Sequence, residues 1–367
     1  MSARGIIHKL LSILAAALAG LFLLLAVAAG TPDQDLNLKH PKVREVVEVQ
    51  EAVTPGLMAV EDVLGTAVGQ DYDGEMMLVI YVNLEGKNLG QTVRSLPRNI
   101  RGVRAAVEIT EPFRAMPAKP GRTTASHTAK QTPPIQLGTS GSWGYDLANG
   151  YCCGGTLGSL VQKFGIKYIL SNYHVFEADI ESGGNGIVAH DGDPIIQPGL
   201  IDVSCSFSKA NVVGGLVISA SLPQTNIDAG IAATTDSMVS ADGAILEIGT
   251  ISSQIIAASI NQAVKKSGRT TGLTRSKVTG LNATVSVAYD NECAGDIVFT
   301  KVFTGQIIIG NRGNKFLAGG DSGSLMVEDI ASNPRAVGLL FAGSSTLAVA
   351  NPIGEVLNFF GATMVGN

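Results

Sequence analysis

Three residue types that together can make an acyl-transfer site occur here, each in a setting that suits it. Ser322 lies in Gly319-Gly320-Asp321-Ser322-Gly323-Ser324-Leu325. Glycine on both sides lets the backbone approach a bound carbonyl and take conformations that a side chain would forbid. Successive N–H groups on such a loop can point into one concavity and hold a developing oxyanion. Ser322 is therefore a candidate nucleophile, and Gly320 and Ser322 are candidate oxyanion donors. A serine nucleophile needs a base. His174 comes almost directly after the apolar run Ile166-Lys167-Tyr168-Ile169-Leu170, where a strand end makes it both rigid and reachable. That suits a general base, whose pKa lies near the working pH. His190 competes from a loop rich in Gly and Asp but has no strand to fix it, and His127 reads as a solvated loop histidine. Asp228 is the only acid in the apolar run 226–233. Burying an unpaired carboxylate is expensive, so this one should have a partner. It fits the buried carboxylate that orients a catalytic histidine. Each residue alone has a plainer reading, as a Gly/Ser loop, a structural histidine or a turn aspartate. The ordered set His174, Asp228, Ser322 favours chemistry, and its wide spacing means that folding must bring the three together.

The elements that would do so are short. From Trp143 onward, β-patterned runs alternate with Gly, Asn, Asp and Ser clusters, and a hairpin is expected from Thr156–Val161 and Ile166–Leu170. Each candidate sits at a strand end or loop, as it would between two β-barrels, here residues 143–240 and 241–367, the second ending in a helix. Before them, residues 41–115 read as a small α+β unit. It has a helix broken at Thr54-Pro55-Gly56, strands over 64–70 and 75–83, a helix over 89–96 and a strand over 103–110. Residues 116–142 carry Pro117, Pro120, Pro133 and Pro134 amid Thr, Ser, Gly and Lys, and read as an extended, poorly packed linker.

With 45% apolar and 16% charged residues, the 367-residue chain can bury a large core. Forty-four glycines and only 5% aromatics suit short strands and tight turns. The net charge of −5 argues against a nucleic-acid partner. Residues 10–30 contain no charge and no proline and come after Arg4, His8 and Lys9. They read as an apolar helix serving as signal peptide or membrane anchor within residues 1–30. Either role makes the chain beyond residue 30 extracytoplasmic: secreted, periplasmic or anchored.

These features resemble the chymotrypsin/trypsin-like serine peptidases of the double β-barrel fold, and within them the narrow-leaf-type subgroup of bacteria and plants. The resemblance is carried by Leu170-Ser171-Asn172-Tyr173-His174-Val175, Gly192-Asp193-Pro194-Ile195-Ile196-Gln197-Pro198-Gly199, Asn226-Ile227-Asp228-Ala229-Gly230-Ile231-Ala232, Lys266-Ser267-Gly268-Arg269-Thr270-Thr271-Gly272, Gly320-Asp321-Ser322-Gly323-Ser324-Leu325 and Val337-Gly338-Leu339-Leu340-Phe341-Ala342-Gly343-Ser344. It covers about residues 155–360, and residues 41–115 are similar to the small domain that precedes the peptidase in that subgroup. The implied fold is mainly β: a chymotrypsin-like double β-barrel preceded by a small α+β domain and an N-terminal apolar helix. The implied activity is that of an exported serine endopeptidase. His174 would be base and then acid, Asp228 its orienter, Ser322 the acylated nucleophile, and the N–H groups of Gly320 and Ser322 the oxyanion hole. Phe341, Ala342 and Gly343 would form an edge strand of the substrate cleft, and Phe316 would lie where an acid selects Arg or Lys. Asp321 matches the aspartate that receives a freed N-terminus in digestive relatives, but the linker is not succeeded by an Ile-Val-Gly-Gly start. The implied partner is a peptide or protein substrate.

Cys152, Cys153, Cys205 and Cys293 permit disulfides in an exported chain, with connectivity open. No spacing resembles a zinc site or a phosphate loop, so neither metal nor cofactor is expected. Gly268-Arg269-Thr270-Thr271-Gly272 reads as a tight turn with Arg269 as a structural ion-pair or hydrogen-bond donor. Residues 10–30 allow membrane anchoring, and the leading unit allows a homo-oligomer. Two other functions use the same residues: a catalytically silent binding or scaffold protein on the same fold, and an esterase.

Overall fold

The computed structural model describes residues 35–115, 125–148, 151–177, 189–219, 222, 224–235, 237–290 and 297–367. The apolar segment 10–30, residues 116–124 of the linker and Cys293 lie outside them. Among the described residues, no helix is long and apolar enough to cross a membrane.

The expected hairpin is present with its first arm shifted, because Thr156 and Leu157 belong to a separate strand. Strands Ser159–Lys163 and Ile166–Ser171 pair from Ser159↔Leu170 to Lys163↔Ile166. Phe164 and Gly165 turn the chain with φ of 51° and 78°, the two positive values that a type I′ hairpin loop needs. This hairpin sits in an eight-stranded antiparallel sheet that also holds Gly230–Thr234, Asn211–Val217, Pro194–Gln197, Thr139–Trp143 and Gly155–Leu157. The sheet is curled, and one run of chain contributes to both of its sides. Gly155–Leu157 pairs with Thr139–Trp143, and past Gly158 the same run pairs with Ile166–Ser171. Trp143, Leu157, Ile169, Ile195, Val213 and Ile231 fill the inside.

A second sheet runs Ala263–Gly268, Leu325–Glu328, Ala336–Gly343, Leu347–Pro352, Ile297–Gly310 and Gly272–Asp290, and the last strand pairs with the first. Six strands thus return on themselves. Gly272–Asp290 and Ile297–Gly310 form a long hairpin that reaches well past this ring. The apolar core is continuous with the first sheet through Leu325, Val327, Leu339, Ile353 and Val356. The expected C-terminal helix, Ile353–Phe360, buries Ile353, Val356, Leu357 and Phe360 at helical spacing and stops at Gly361, whose φ is 62°. Thr363–Met364 then pairs back onto Ser159–Lys163, so the chain end clasps the first sheet.

The leading elements keep the expected order, but the helix does not break at Thr54-Pro55-Gly56. It runs unbroken over Pro41–Met58. Pro55 removes one backbone donor. The continuous buried stripe Val43, Val46, Gln50, Thr54 and Leu57 outweighs that loss, and Thr54 Oγ1 donates to the Gln50 carbonyl at 2.7 Å. Strand Val63–Gln70 pairs with Gly272–Asp290, so Met76–Asn83 and Val103–Thr110 extend the second sheet outward. Residues 37–367 form one unit.

The linker expectation fails from Ala125 onward. Ile135 and Leu137 are fully buried and bridge to Val239 and Ile245. Their alternation with polar neighbours is a strand pattern that the prolines obscured.

Candidate active site

His174 and Asp228 meet. Asn172 opens a single helical turn, Tyr173–Phe176, by accepting the Val175 and Phe176 amides at 3.2 and 3.1 Å. Val175 and Phe176 anchor the turn in the first core, leaving the His174 side chain 11% exposed. Its Nδ1 lies 2.6 Å from Asp228 Oδ2, and its backbone N–H donates to Asp228 Oδ1 at 3.3 Å. Asp228 is fully buried. Asn172 Nδ2 and Asn351 Nδ2 donate to its carbonyl at 2.7 and 3.2 Å, so one amide from each sheet clamps this loop. The Tyr289 hydroxyl, near the end of its strand in the long hairpin, donates to Asp228 Oδ2 at 2.8 Å. Burial, reinforced by the Asp228 carboxylate, pushes the Tyr289 phenol well above its ordinary pKa. Its ring packs edge-on to His174 with centroids 6.0 Å apart.

Ser322 sits nearby on the other side. A Cβ on Gly155 would meet both Val175 and the Ser322 carbonyl. Ser322 Oγ donates to the Phe341 carbonyl at 3.3 Å, while His174 Nε2 is buried and makes no hydrogen bond. The orienter–base contact is therefore formed, and the base–nucleophile hydrogen bond is not.

The loop around Ser322 is fixed by its carbonyls. Thr270 Oγ1 donates to the Gly319 carbonyl at 2.6 Å, and Ser324 N and Oγ donate to the Asp321 carbonyl at 3.0 and 2.5 Å. In a trans peptide the N–H points opposite to the C=O. The N–H groups of Gly320 and Ser322 are therefore turned away from these anchors. Gly320 and Gly323 have φ of 94° and 90°. A Cβ on Gly323 would lie 2.2 Å from Ser171 Oγ and 2.3 Å from the Thr156 carbonyl, so only glycine fits there.

Asp321 has a cation of its own. Lys266 Nζ lies 3.2 Å from Asp321 Oδ2, and both side chains are fully buried. The carboxylate also accepts from Thr270 N at 2.9 Å, Thr271 N at 3.1 Å, Thr271 Oγ1 at 2.7 Å and Ala318 N at 3.0 Å. Lys266 Nζ donates further to Thr271 Oγ1 and to the Gly272 carbonyl. Burial lowers the pKa of this ammonium, and Asp321 pulls it back up. Asp321 thus has an internal counter-charge in the fold. Arg269 is the structural ion pair expected of it, forking onto Asp202 at 2.7 and 2.6 Å.

Other candidates fall elsewhere. His190 is exposed on its loop. His127, expected in solvent, is fully buried: Nε2 lies 3.0 Å from Ser267 Oγ and 3.1 Å from Glu247 Oε2, and burial lowers its pKa. Phe316 is buried, its N–H and C=O held by Asn311 and Thr274. Phe341, Ala342 and Gly343 do lie on one strand beside Ser322, but that strand is not a free edge. Its outer side already pairs with Phe113–Ala115. Cys152 bonds Cys205, and Cys153 is also disulfide-bonded.

Lys266, Tyr289, Asn172 and Asn351 escaped the sequence reading as site residues. Lys266 alone carried a signal: it shares a strand face with Val264, and both are fully buried. Tyr289 and Asn351 are brought in by tertiary structure, which no local pattern announces.

Residues 225–350 match the family model of the Nal1 C-terminal domain. No curated protein matches the chain by sequence. Among solved structures, a glutamic acid-specific serine protease described as using a histidine triad in substrate binding is 23% identical. It covers 63% of this chain and 100% of its own, with a TM-score of 0.41. Thermobifida fusca Protease A is 18% identical over 64% of this chain and 99% of its own, with a TM-score of 0.40. Cellulomonas bogoriensis chymotrypsin is 17% identical over 64% and 99%, also with a TM-score of 0.40. By sequence, residues 225–350 are thus similar to the Nal1 C-terminal domain, beside the two curled antiparallel sheets that the fold itself shows.

Proposed function

We propose that this protein is an extracytoplasmic serine endopeptidase working through His174, Asp228 and Ser322. The observation that carries the reading is the 2.6 Å contact of His174 Nδ1 with the buried Asp228 carboxylate. A proton held on Nδ1 leaves Nε2 as the basic nitrogen, and the buried carboxylate favours the imidazolium that forms when Nε2 takes a proton. Ser322 Oγ attacks the peptide carbonyl carbon as His174 Nε2 takes its proton. The carbonyl π electrons move onto oxygen, which the N–H groups of Gly320 and Ser322 receive. Each such donor is worth roughly 3–4 kcal/mol in a comparable hole. Collapse expels the amine, which leaves with the proton from His174. Water, deprotonated by His174 in its turn, then releases the acid and restores Ser322. The substrate chain would lie along residues 341–343.

The Lys266–Asp321 pair supports a nucleophile loop that needs no proteolytic activation. One observation favours a second reading, a catalytically silent binding protein: Ser322 Oγ is turned to the Phe341 carbonyl rather than to His174. Covalent labelling by a fluorophosphonate separates the two. The peptidase reading expects one adduct, mapped by mass spectrometry to Ser322 and lost in Ser322→Ala. An adduct on another residue, or undiminished labelling of Ser322→Ala, overturns it.

A further inference from the structure

We infer that the strand Phe113–Ala115 occupies the peptide-binding side of residues 341–343 as an intramolecular substrate mimic, which holds the site closed. The inference rests on reading that strand as the one that binds substrate. Ala115 pairs antiparallel with Ala342 and Arg114 with Gly343. The direction of the pairing is informative. The chain runs from Phe113 to Ala115 against the order 341 to 343, so it heads toward Phe341, whose carbonyl holds Ser322 Oγ. A peptide whose acyl half lay along 341–343, with its scissile carbonyl at Ser322, would run with this polarity. A strand laid down in the reverse sense would fill the edge without imitating a substrate.

The segment is held on every side. On its other side, Phe113 and Arg114 pair in parallel with Val287 and Ala288 of the long hairpin. Phe113 is fully buried, edge-on to Tyr81 of the leading unit with centroids 5.7 Å apart. Thr110 Oγ1 lies 2.7 Å from Ser344 Oγ and 2.9 Å from Thr346 Oγ1, and Ser345 Oγ donates to Glu111 Oε1 at 2.6 Å. Residues 110–115 are therefore latched along 342–346. Ser322 itself has no exposed surface. Peptides bind such strands by adding to the sheet through main-chain hydrogen bonds. An edge whose hydrogen-bonding groups are taken cannot accept another strand. The leading unit thus acts as a tethered competitor of extended peptide substrates, and activity requires residues 113–115 to leave.

The test does not depend on turnover. A thiol is placed at the nucleophile position by Ser322→Cys in the full chain, and its reaction with a small uncharged thiol reagent is timed. The same is done with Arg114→Pro added. Arg114 is exposed, so the core is spared, and a proline in mid-strand removes the donor that pairing needs. We expect modification to be at least tenfold faster in the double variant. Thr110→Val with Ser345→Ala loosens the latch by a second route and should accelerate modification in the same direction. Equal rates in the parent and in whichever variants keep the parent's circular dichroism overturn the inference while leaving the proposed function standing. If instead the thiol becomes accessible but Ser322 with Arg114→Pro never takes a fluorophosphonate, the proposed function fails and the occlusion stands.

Discussion

Replacing Lys266 by methionine should cost this fold several kcal/mol, because it strands a buried carboxylate. Lys266 Nζ and Asp321 Oδ2 lie 3.2 Å apart with neither side chain exposed. Methionine fills nearly the same volume, so packing changes little and the charge change dominates. Removing one partner of a buried pair typically costs about 3–5 kcal/mol, since the remaining charge stays desolvated. Asp321 keeps four protein donors, at Thr270 N, Thr271 N, Thr271 Oγ1 and Ala318 N, which places the cost toward the lower end, about 3 kcal/mol. Asp321→Asn should cost a similar amount, about 3 kcal/mol, by leaving the ammonium without its counter-charge. The double variant removes both charges and should cost no more than either single one, a coupling of about 3 kcal/mol where contacting residues show roughly 0.5–3. Urea unfolding monitored by the fluorescence of Trp143, the only tryptophan, reads all three. Single costs below about 1 kcal/mol, or additivity within about 0.5 kcal/mol, would refute the idea that this pair holds the nucleophile loop.

Two further outcomes are expected from the same surroundings. Tyr289→Phe keeps the stacked ring pair with Phe299, 4.8 Å apart, but removes a donor from the buried Asp228 carboxylate. It should cost about 1.5–3 kcal/mol in urea unfolding, as a hydrogen bond to a charged group does, and a cost under about 0.5 kcal/mol would contradict the contact's role. Glu177 is buried just after the His174 turn and accepts from Ser219 Oγ at 3.0 Å. Burial pushes its carboxyl up from 4.5 to about 7. Between those two values the folded chain keeps a proton that the unfolded chain has lost. Stability from this group is therefore complete below about pH 4.5 and drains away as pH rises toward 7, at up to about 1.4 kcal/mol per pH unit. Glu177→Gln should flatten that slope and be more stable than the parent at pH 8. An unchanged slope in pH-dependent urea unfolding would contradict the assignment.

The sequence was most informative where a local pattern and a burial requirement coincide. Asp228 stood out as the only acid in an apolar run, and the fold gives it His174 and Tyr289. The hairpin around Phe164 and Gly165 and the leading helix and strands were legible from periodicity. Prolines twice suggested less order than the fold has. Pro55 lies inside a helix whose buried stripe outweighs one lost bond, and Pro133 and Pro134 precede residues fully packed in the core. His127 has loop-like neighbours in sequence but a buried place beside Ser267 in the fold. Nothing local marked residues 113–115 as the partner of residues 342 and 343, because that pairing spans more than two hundred residues of chain. Lys266 stands inside one of the family-like motifs, but its distant partner Asp321 could not be read from spacing.

The central claim is that His174, held by Asp228, activates Ser322 as a nucleophile. Fluorophosphonate labelling of the full chain carrying Arg114→Pro, with and without His174→Ala, tests it most directly. A single adduct on Ser322 is expected, formed faster than in the parent and slowed on the order of 10⁴-fold or more by His174→Ala. Labelling that is indifferent to His174, or an accessible Ser322 that never reacts, would contradict it.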